Sequence, residues 1–397
     1  MKKIEQSGCT RRFALLGIAG AVAQLAGCGG GGTDFAGLSS GGTGSFTSGT
    51  ITGLGSIIVN GIRYNDDTAR ISASDDTGGN HSELKVGMVV TIEGSSVTPA
   101  ASATGLPTAT AYSISYGSEW RGPVSNVGTS TFEVLGHTVD VLSTTLIDGV
   151  VNQYGLVKAG FYVEVYGYVD QIDGHIQASR IEVSNTQPNS YKLSGAITQI
   201  DRFRRTANLG LTSIKWSSDS VLPPNTAEND FVRVQLNPTP TQGAWTGSRI
   251  QLESSPLVDL RDDQEYEAEV QGSITAYQSN ANFVVSGIPV NALNARITGT
   301  LQAGVVVEVE GHIRAGQLIA SKVEVKSSAR IESQEFEFYG VISNVTAQTF
   351  EVRGQTFEYD TSTENIDLLQ RMPSPYVEVK ANRRNGRWYA FEIDLED

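Results

Sequence analysis

The stretches LKVGMVVTIEG (residues 84–94), VKAGFYVEVYG (157–167) and LQAGVVVEVEG (301–311) decide the fold of this chain. Each carries a glycine, then β-branched residues alternating with others, then a second glycine. An alternation of period two is the pattern of a strand with one face buried. A further strand of one pattern follows, as ATAYSISYG (109–117), IQASRIEVS (176–184) and LIASKVEVK (318–326), and WYAFEIDLE (388–396) repeats it.

Upstream the similarity continues, in GPVSNVGTSTFEVLGHTVDV from Gly122, GSITAYQSNANFVVSGIPVNA from Gly272 and GVISNVTAQTFEVRGQTFEY from Gly340. With Gly49 and Gly195, these glycines open five similar stretches at intervals of 73, 73, 77 and 68 residues. Such intervals are domain-sized and longer than common solenoid periods. The expectation is an all-β chain of five tandem small barrels, arranged as beads.

About five short strands fit each stretch. Asn60-Gly61, Asp173-Gly174 and Asn385-Gly386 lie between such runs, and these dipeptides accept the positive φ angles of tight hairpin turns. Helical periodicity is nearly absent; only segments such as 146–157 or 366–372 have room for a helical turn. Five strands with a turn or small helix between the third and fourth is the layout of an OB-type Greek-key barrel. An SH3-like barrel is the alternative. The expected boundaries are 1–27 for a signal peptide, 28–48 for a lipidated cysteine and linker, and 49–120, 121–191, 192–266, 267–336 and 337–397 for the β modules.

Two modules depart from the pattern. In the third, NDFVRVQLN (229–237) lacks both glycines, and Pro223, Pro224, Pro238 and Pro240 interrupt its surroundings, so its barrel is expected to be incomplete. The fifth is the shortest and reads as a terminal cap. Between the third and fourth, Asp259, Asp262, Asp263, Glu265, Glu267 and Glu269 read as a solvated acidic joint. Calcium bridging is the sharper alternative, although no glycine-punctuated ligand loop is present.

At the start of the sequence, Lys2, Lys3, Arg11 and Arg12 precede a 15-residue apolar run over 13–27, too short to span a bilayer and fitting the core of a signal peptide. The run ends in Leu25-Ala26-Gly27-Cys28, which resembles a bacterial lipobox. That resemblance implies acyl transfer to Cys28 and cleavage before it, and several acyl chains give stable anchoring. Gly29 rather than Asp follows the cysteine, which by resemblance to Gram-negative lipoproteins directs the protein to the outer membrane, facing the periplasm or the cell surface. Thr10-Arg11-Arg12-Phe13 also resembles, imperfectly, a twin-arginine export signal. Cys9 falls in the removed part, so no disulfide is expected. The Gly/Ser/Thr-rich stretch over 29–48 would reach about 25 Å as a flexible tether.

Charge and motif content bound the function. The chain carries a net charge of −14, of which the leader contributes +3, so the remainder carries −17. Sequence-independent nucleic-acid binding needs a basic face and is excluded as an expectation. His81, His137, His175 and His312 occupy unrelated positions in their repeats, and no HExxH, CxxC, GxSxG, P-loop or dinucleotide fingerprint occurs. The expectation is a protein that is not an enzyme and needs no cofactor or metal. Two basic spots, Arg202, Arg204 and Arg205 around Phe203, and Arg383, Arg384 and Arg387 beside Trp388, read as solvated hairpin tips or as contacts for an anionic envelope glycan.

Alternation also singles out one aromatic face. The recurring acids Glu164, Glu308 and Glu378 fall on the outer face of the fourth strand, because their valine neighbours take the core. In the second module that outer face carries Tyr162, Glu164, Tyr166 and Tyr168. Rings beside a carboxylate can stack on sugars while the acid accepts hydroxyl hydrogen bonds, so this is the candidate ligand-binding face. The alternative is that the tyrosines cover an edge or pack against a neighbouring module.

The combined pattern, G-x-I/V-x-x-V, F-E-V-x-G, L-x-x-G-x-x-V-E-V-x-G and I-x-A-S-x-I/V-E-V, resembles the bacterial domain of unknown function family numbered 5666. It covers the first, second, fourth and fifth repeats well and the third weakly. The resemblance implies an envelope β domain found in tandem, often on lipoproteins, with no catalytic residues to carry over. Together these readings point to a non-catalytic, outer-membrane-anchored lipoprotein offering a binding or structural surface to an envelope protein or glycan. A periplasmic glycan or small-ligand binder and an unrecognised envelope hydrolase are the other classes.

Overall fold

Strand pairing in the computed structural model is all-β and built on closed five-strand rings. The structure describes residues 44–73, 79–100, 105–150, 157–170, 174–218, 221–241, 243–252, 256–257, 260, 264–326, 335–384 and 386–396. The expected signal peptide, the lipidation site Cys28 and the tether up to residue 43 lie outside the described residues.

The first ring uses β1 (Gly44–Leu54), β2 (Ile57–Val59), β3 (Ile62–Asn65) with its continuation β4 (Arg70–Ala73), β5 (Val89–Gly94) and β6 (Thr108–Tyr116). Strand β1 pairs antiparallel with β2 and β2 with β3; β3 and β4 run parallel to β6; β5 pairs antiparallel with both β6 and β1. That last pairing closes the ring and leaves no free edge. The circuit recurs in β7 (Trp120–Ser125), β8 (Thr131–Val134), β9 (His137–Gly149), β10 (Tyr162–Val169) and β11 (Ile176–Ser184). It recurs in β12 (Tyr191–Asp201), β13 (Thr206–Leu209), β14 (Thr212–Trp216), β15 (Phe231–Leu236) and β16 (Trp245–Leu252). A fourth copy has β17 (Tyr266–Ser279), β18 (Asn282–Val285), β19 (Ile288–Asn291) with its continuation β20 (Arg296–Thr298), β21 (Val306–Arg314) and β22 (Gln317–Val325). The fifth has β23 (Phe336–Ser343), β24 (Thr349–Val352), β25 (Gln355–Glu358), β26 (Tyr376–Arg384) and β27 (Arg387–Leu395).

The glycines of the motif have distinct jobs. The first of each pair sits in the left-handed region at the turn into the fourth strand, with φ of 86° at Gly87, 84° at Gly160 and 85° at Gly304. In the third ring Asn229 takes this place at φ 69°, and asparagine tolerates that region better than other side-chain-bearing residues. The third ring therefore closes, contrary to expectation, and its four prolines lie outside the strands. The second glycine marks a bulge, at Glu93/Gly94, Tyr166/Gly167 and Glu310/Gly311. A methyl group on Gly167 or Gly311 would strike the carbonyl oxygen of Gln177 or Ile319 on the facing strand.

The rings are fused, which corrects the expectation of beads. One hydrophobic cluster runs from Trp120 to Ile250 through the second and third rings. Strand β1 lies parallel to β17 over Gly44–Ser48 and parallel to β23 at Gly53 and Leu54, so the fifth ring joins the others at β1 instead of standing apart as a cap. Residues 44–48, expected to be linker, form the start of this strand. Phe46 is buried in the core of the fourth ring. Of the two segments expected to have room for a helical turn, 146–149 continue β9, while Ile366–Gln370 forms one 3-10 turn with Leu368 and Leu369 buried. Among the described residues no helix is long and apolar enough to cross a membrane.

Candidate functional site

Where the first four rings meet, they enclose a cleft of about 410 Å³. Thr91 and Tyr116 reach it from the first ring, Tyr168 from the second, Phe231 and Arg233 from the third, and Thr275 from the fourth. Glu119, just before β7, completes its charged wall. The Arg233 guanidinium donates to Glu119 Oε1 at 2.8 Å and to the Ser118 carbonyl at 3.3 Å. The Ser194 hydroxyl donates to the other Glu119 oxygen.

Behind this wall lies a buried polar brace. Lys192 Nζ donates to the Ser118 hydroxyl at 2.6 Å and to its carbonyl at 3.2 Å, and the Ser118 hydroxyl donates to Glu164 Oε1 at 2.6 Å. Burial, with the charge of Arg233, lowers the Lys192 ammonium to about 7. A hydroxyl beside an amine of this kind has the components of a nucleophile and base. Both residues are 1 % exposed, and the hydroxyl proton is committed to Glu164. The trio therefore ties the segment before β7 to β10 and β12. Beside it, Trp120 Nε1 donates to the Ser194 carbonyl at 2.9 Å.

The aromatic face expected over Tyr162, Glu164, Tyr166 and Tyr168 is not an open strip. Tyr166 and Tyr168 are buried, because the bulge at Gly167 breaks the alternation and the adjoining rings cover what remains. The Tyr168 hydroxyl lies 3.0 Å from Thr50 Oγ1 of β1. The Tyr162 ring sits 6.2 Å from that of Tyr191 in the third ring, and Glu164 faces Arg121 at 3.8 Å and Lys192 at 4.0 Å. Packing between rings, the alternative read from the sequence, describes these residues.

Other expected surface residues also turn inward. Glu308 is 8 % exposed beside Lys322 and Lys326. Burial, with the charge of Glu337, pushes the Glu378 carboxyl up to about 7. Glu267 and Glu269, expected in a solvated joint, are buried in β17 alongside β1. Burial, then Glu308 and Glu310, holds the Glu269 carboxyl well above the usual range. Asp259, Asp262 and Asp263 lie outside the described residues. Among the described residues no group of three or more His, Cys, Asp or Glu is arranged to hold a metal ion.

The basic spots divide. Arg202 donates to the carbonyls of Pro223, Pro224 and Thr226, Arg204 pairs with Asp201, and Phe203 between them is 96 % exposed. Arg387 is exposed with Glu358, whereas Arg383 reaches from the fifth ring to Asp148 of the second. Among the histidines, His137 is buried between rings, its Nε2 lying 3.0 Å from Thr212 Oγ1, and burial lowers its pKa. His175 lies 3.3 Å from Asp140, and His81 Nε2 meets the Asp66 carbonyl. Sequence reading missed Ser118, Glu119, Lys192 and Arg233, because nothing in the alternation says that a polar residue will face another ring.

No curated protein and no solved structure matches the chain. The regions matched by a family model fall on the second, fourth and fifth rings. Residues 121–182, 271–324 and 339–394 match the model of the domain of unknown function DUF5666, consistent with repeats of that domain.

Proposed function

We propose that this chain is a non-catalytic lipoprotein, anchored to the outer membrane through Cys28, whose five OB-like modules present a binding or structural surface in the cell envelope. Support for OB-like modules is the circuit itself: in each ring the third strand runs parallel to the fifth, and the fourth closes on the first. The module boundaries proposed follow the repeat, with each module opening at the start of its first strand, at Gly44, Trp120, Tyr191, Tyr266 and Phe336. One observation carries the non-catalytic reading. What recurs between copies is the barrel and its glycine turns, whereas the histidines sit in unlike surroundings and, among the described residues, the buried Ser118–Lys192 pair is not repeated in another ring. The partners proposed are the membrane, through the lipid, and an envelope protein or glycan.

Fractionation of cells expressing the full chain or Cys28→Ser tests the anchor. Wild type is expected with the outer membrane and the variant in the soluble fraction; a variant that stays with the membrane overturns the anchoring. Capture from solubilised envelope with both proteins tests the surface, and enrichment of a defined envelope protein or glycan is the expected result.

A further inference from the structure

Resting on the binding-surface reading above, we propose that the four-ring cleft is a binding site for a neutral, polyhydroxylated ligand of sugar chemistry. Its volume of about 410 Å³ falls in the range of pockets that hold small ligands. Four rings build it, so no single repeat contains it and comparing repeats cannot reveal it.

The lining sets the ligand class. Among the described residues Glu119 and Arg233 are its charged side chains, and they are bonded to each other at 2.8 Å. Among the described residues that pair leaves the wall neutral, and an ionic ligand would have to break a preformed pair. Around it, the Thr91 and Thr275 hydroxyls, which donate to Ser48 Oγ and to the Val284 carbonyl, keep lone pairs that accept, and the Gln251 amide both donates and accepts. The Tyr116 and Tyr168 hydroxyls are engaged by Glu83 and Thr50, so what these residues offer the cleft is ring surface, joined by Phe231. Aromatic surface beside groups that donate and accept, without net charge, fits the C–H faces and hydroxyls of a sugar.

Calorimetric titration of the full-length protein in detergent with chitobiose and with cellobiose tests the proposal. Saturable heat is expected with at least one of them. Phe231→Ala is expected to weaken it about tenfold, through the loss of one stacking surface. Gln251→Trp, which fills the cleft from β16, is expected to abolish it while circular dichroism stays unchanged; Thr275→Trp does the same from β17 should that variant fail to fold. Three results overturn the proposal: no saturable heat with either sugar, binding that survives a cleft-filling variant in folded protein, or tighter binding of a glucuronate-containing disaccharide than of either neutral one. None of these results alters the fractionation of Cys28→Ser, so this site and the anchoring stand or fall separately.

Discussion

The side chain of Asn60 folds over Gly49. Its Nδ2 donates to the Ser48 carbonyl at 3.2 Å and to the Glu269 carbonyl of the fourth ring at 3.3 Å. Asn60 has φ 51° and Gly61 φ 72°, the pair of left-handed angles of a type I′ hairpin. The same pair recurs at Leu135-Gly136, Ser286-Gly287 and Arg353-Gly354. The anchor glycines Gly122, Gly272 and Gly340 lie beneath those turns, where a methyl would meet the turn residue. In the third ring Gly210 occupies the turn at φ 52°, and a methyl on Gly195 would meet nothing within 4 Å.

Gly49→Ala is expected to destabilise the protein by about 1 to 3 kcal/mol, because Asn60 cannot yield without losing both bonds. Gly195→Ala is expected to stay within about 0.5 kcal/mol of wild type. Urea unfolding of the two variants checks the difference, and equal losses would remove this account of the repeat.

Phe46 gives the start of β1 a structural role. Truncation to Phe46→Ala is expected to cost about 3 to 5 kcal/mol, the range for emptying an aromatic site in a core. Hydrogen exchange is expected to rise first in β17 and β21 of the fourth ring, and exchange confined to the first ring would contradict the assignment.

Asp148 joins three rings. It accepts from Arg180 Nη2 at 2.6 Å and from Arg383, while Arg180 also donates to the Val86 carbonyl of the first ring at 3.0 Å. Burial pushes the Asp148 carboxyl up, but the Arg383 bond and the charge of Arg180 outweigh it and hold it below the usual range. Asp148→Asn is expected to lose about 1.5 to 3 kcal/mol, since the Arg180 side chain is 2 % exposed and keeps its charge. In a double-mutant cycle Asp148 and Arg383 are expected to couple, and additive losses would refute the bridge.

Stability is expected to fall with rising pH where Glu378 titrates. Its carboxyl sits against Glu337, Tyr339, Lys380 and Glu396, with Arg63 over the Tyr339 ring. A folded value of about 7 against an unfolded 4.5 means that the folded state holds the proton. That contribution is full below pH 4.5 and is lost as pH rises toward 7. Glu378→Gln, which mimics the protonated acid, is expected to narrow the gap in melting temperature between pH 5 and pH 8. An unchanged gap would assign the pH dependence to other groups.

Much of the architecture was legible because strand alternation and turn chemistry are local. The runs around Val163, Val307 and Val377 told strand from helix, and Asn60-Gly61 told hairpin from loop. The third ring was misjudged because Asn229 supplies the same left-handed turn as Gly87 without looking like it. The site was illegible for a different reason. Alternation separates two faces of a strand but does not say what lies against the second one, so Glu308, Glu378 and Tyr168 read as surface.

By itself, the sequence determined that the chain is all-β, that its unit repeats, and where glycine turns divide the strands, since each depends on residues close along the chain. Only the tertiary structure decided that the rings fuse around β1, that Tyr166 and Tyr168 are covered, and that Glu119 meets Arg233 in a shared cleft. Those outcomes depend on surfaces brought together across more than a hundred residues, where burial and charge pairing between rings choose the partners.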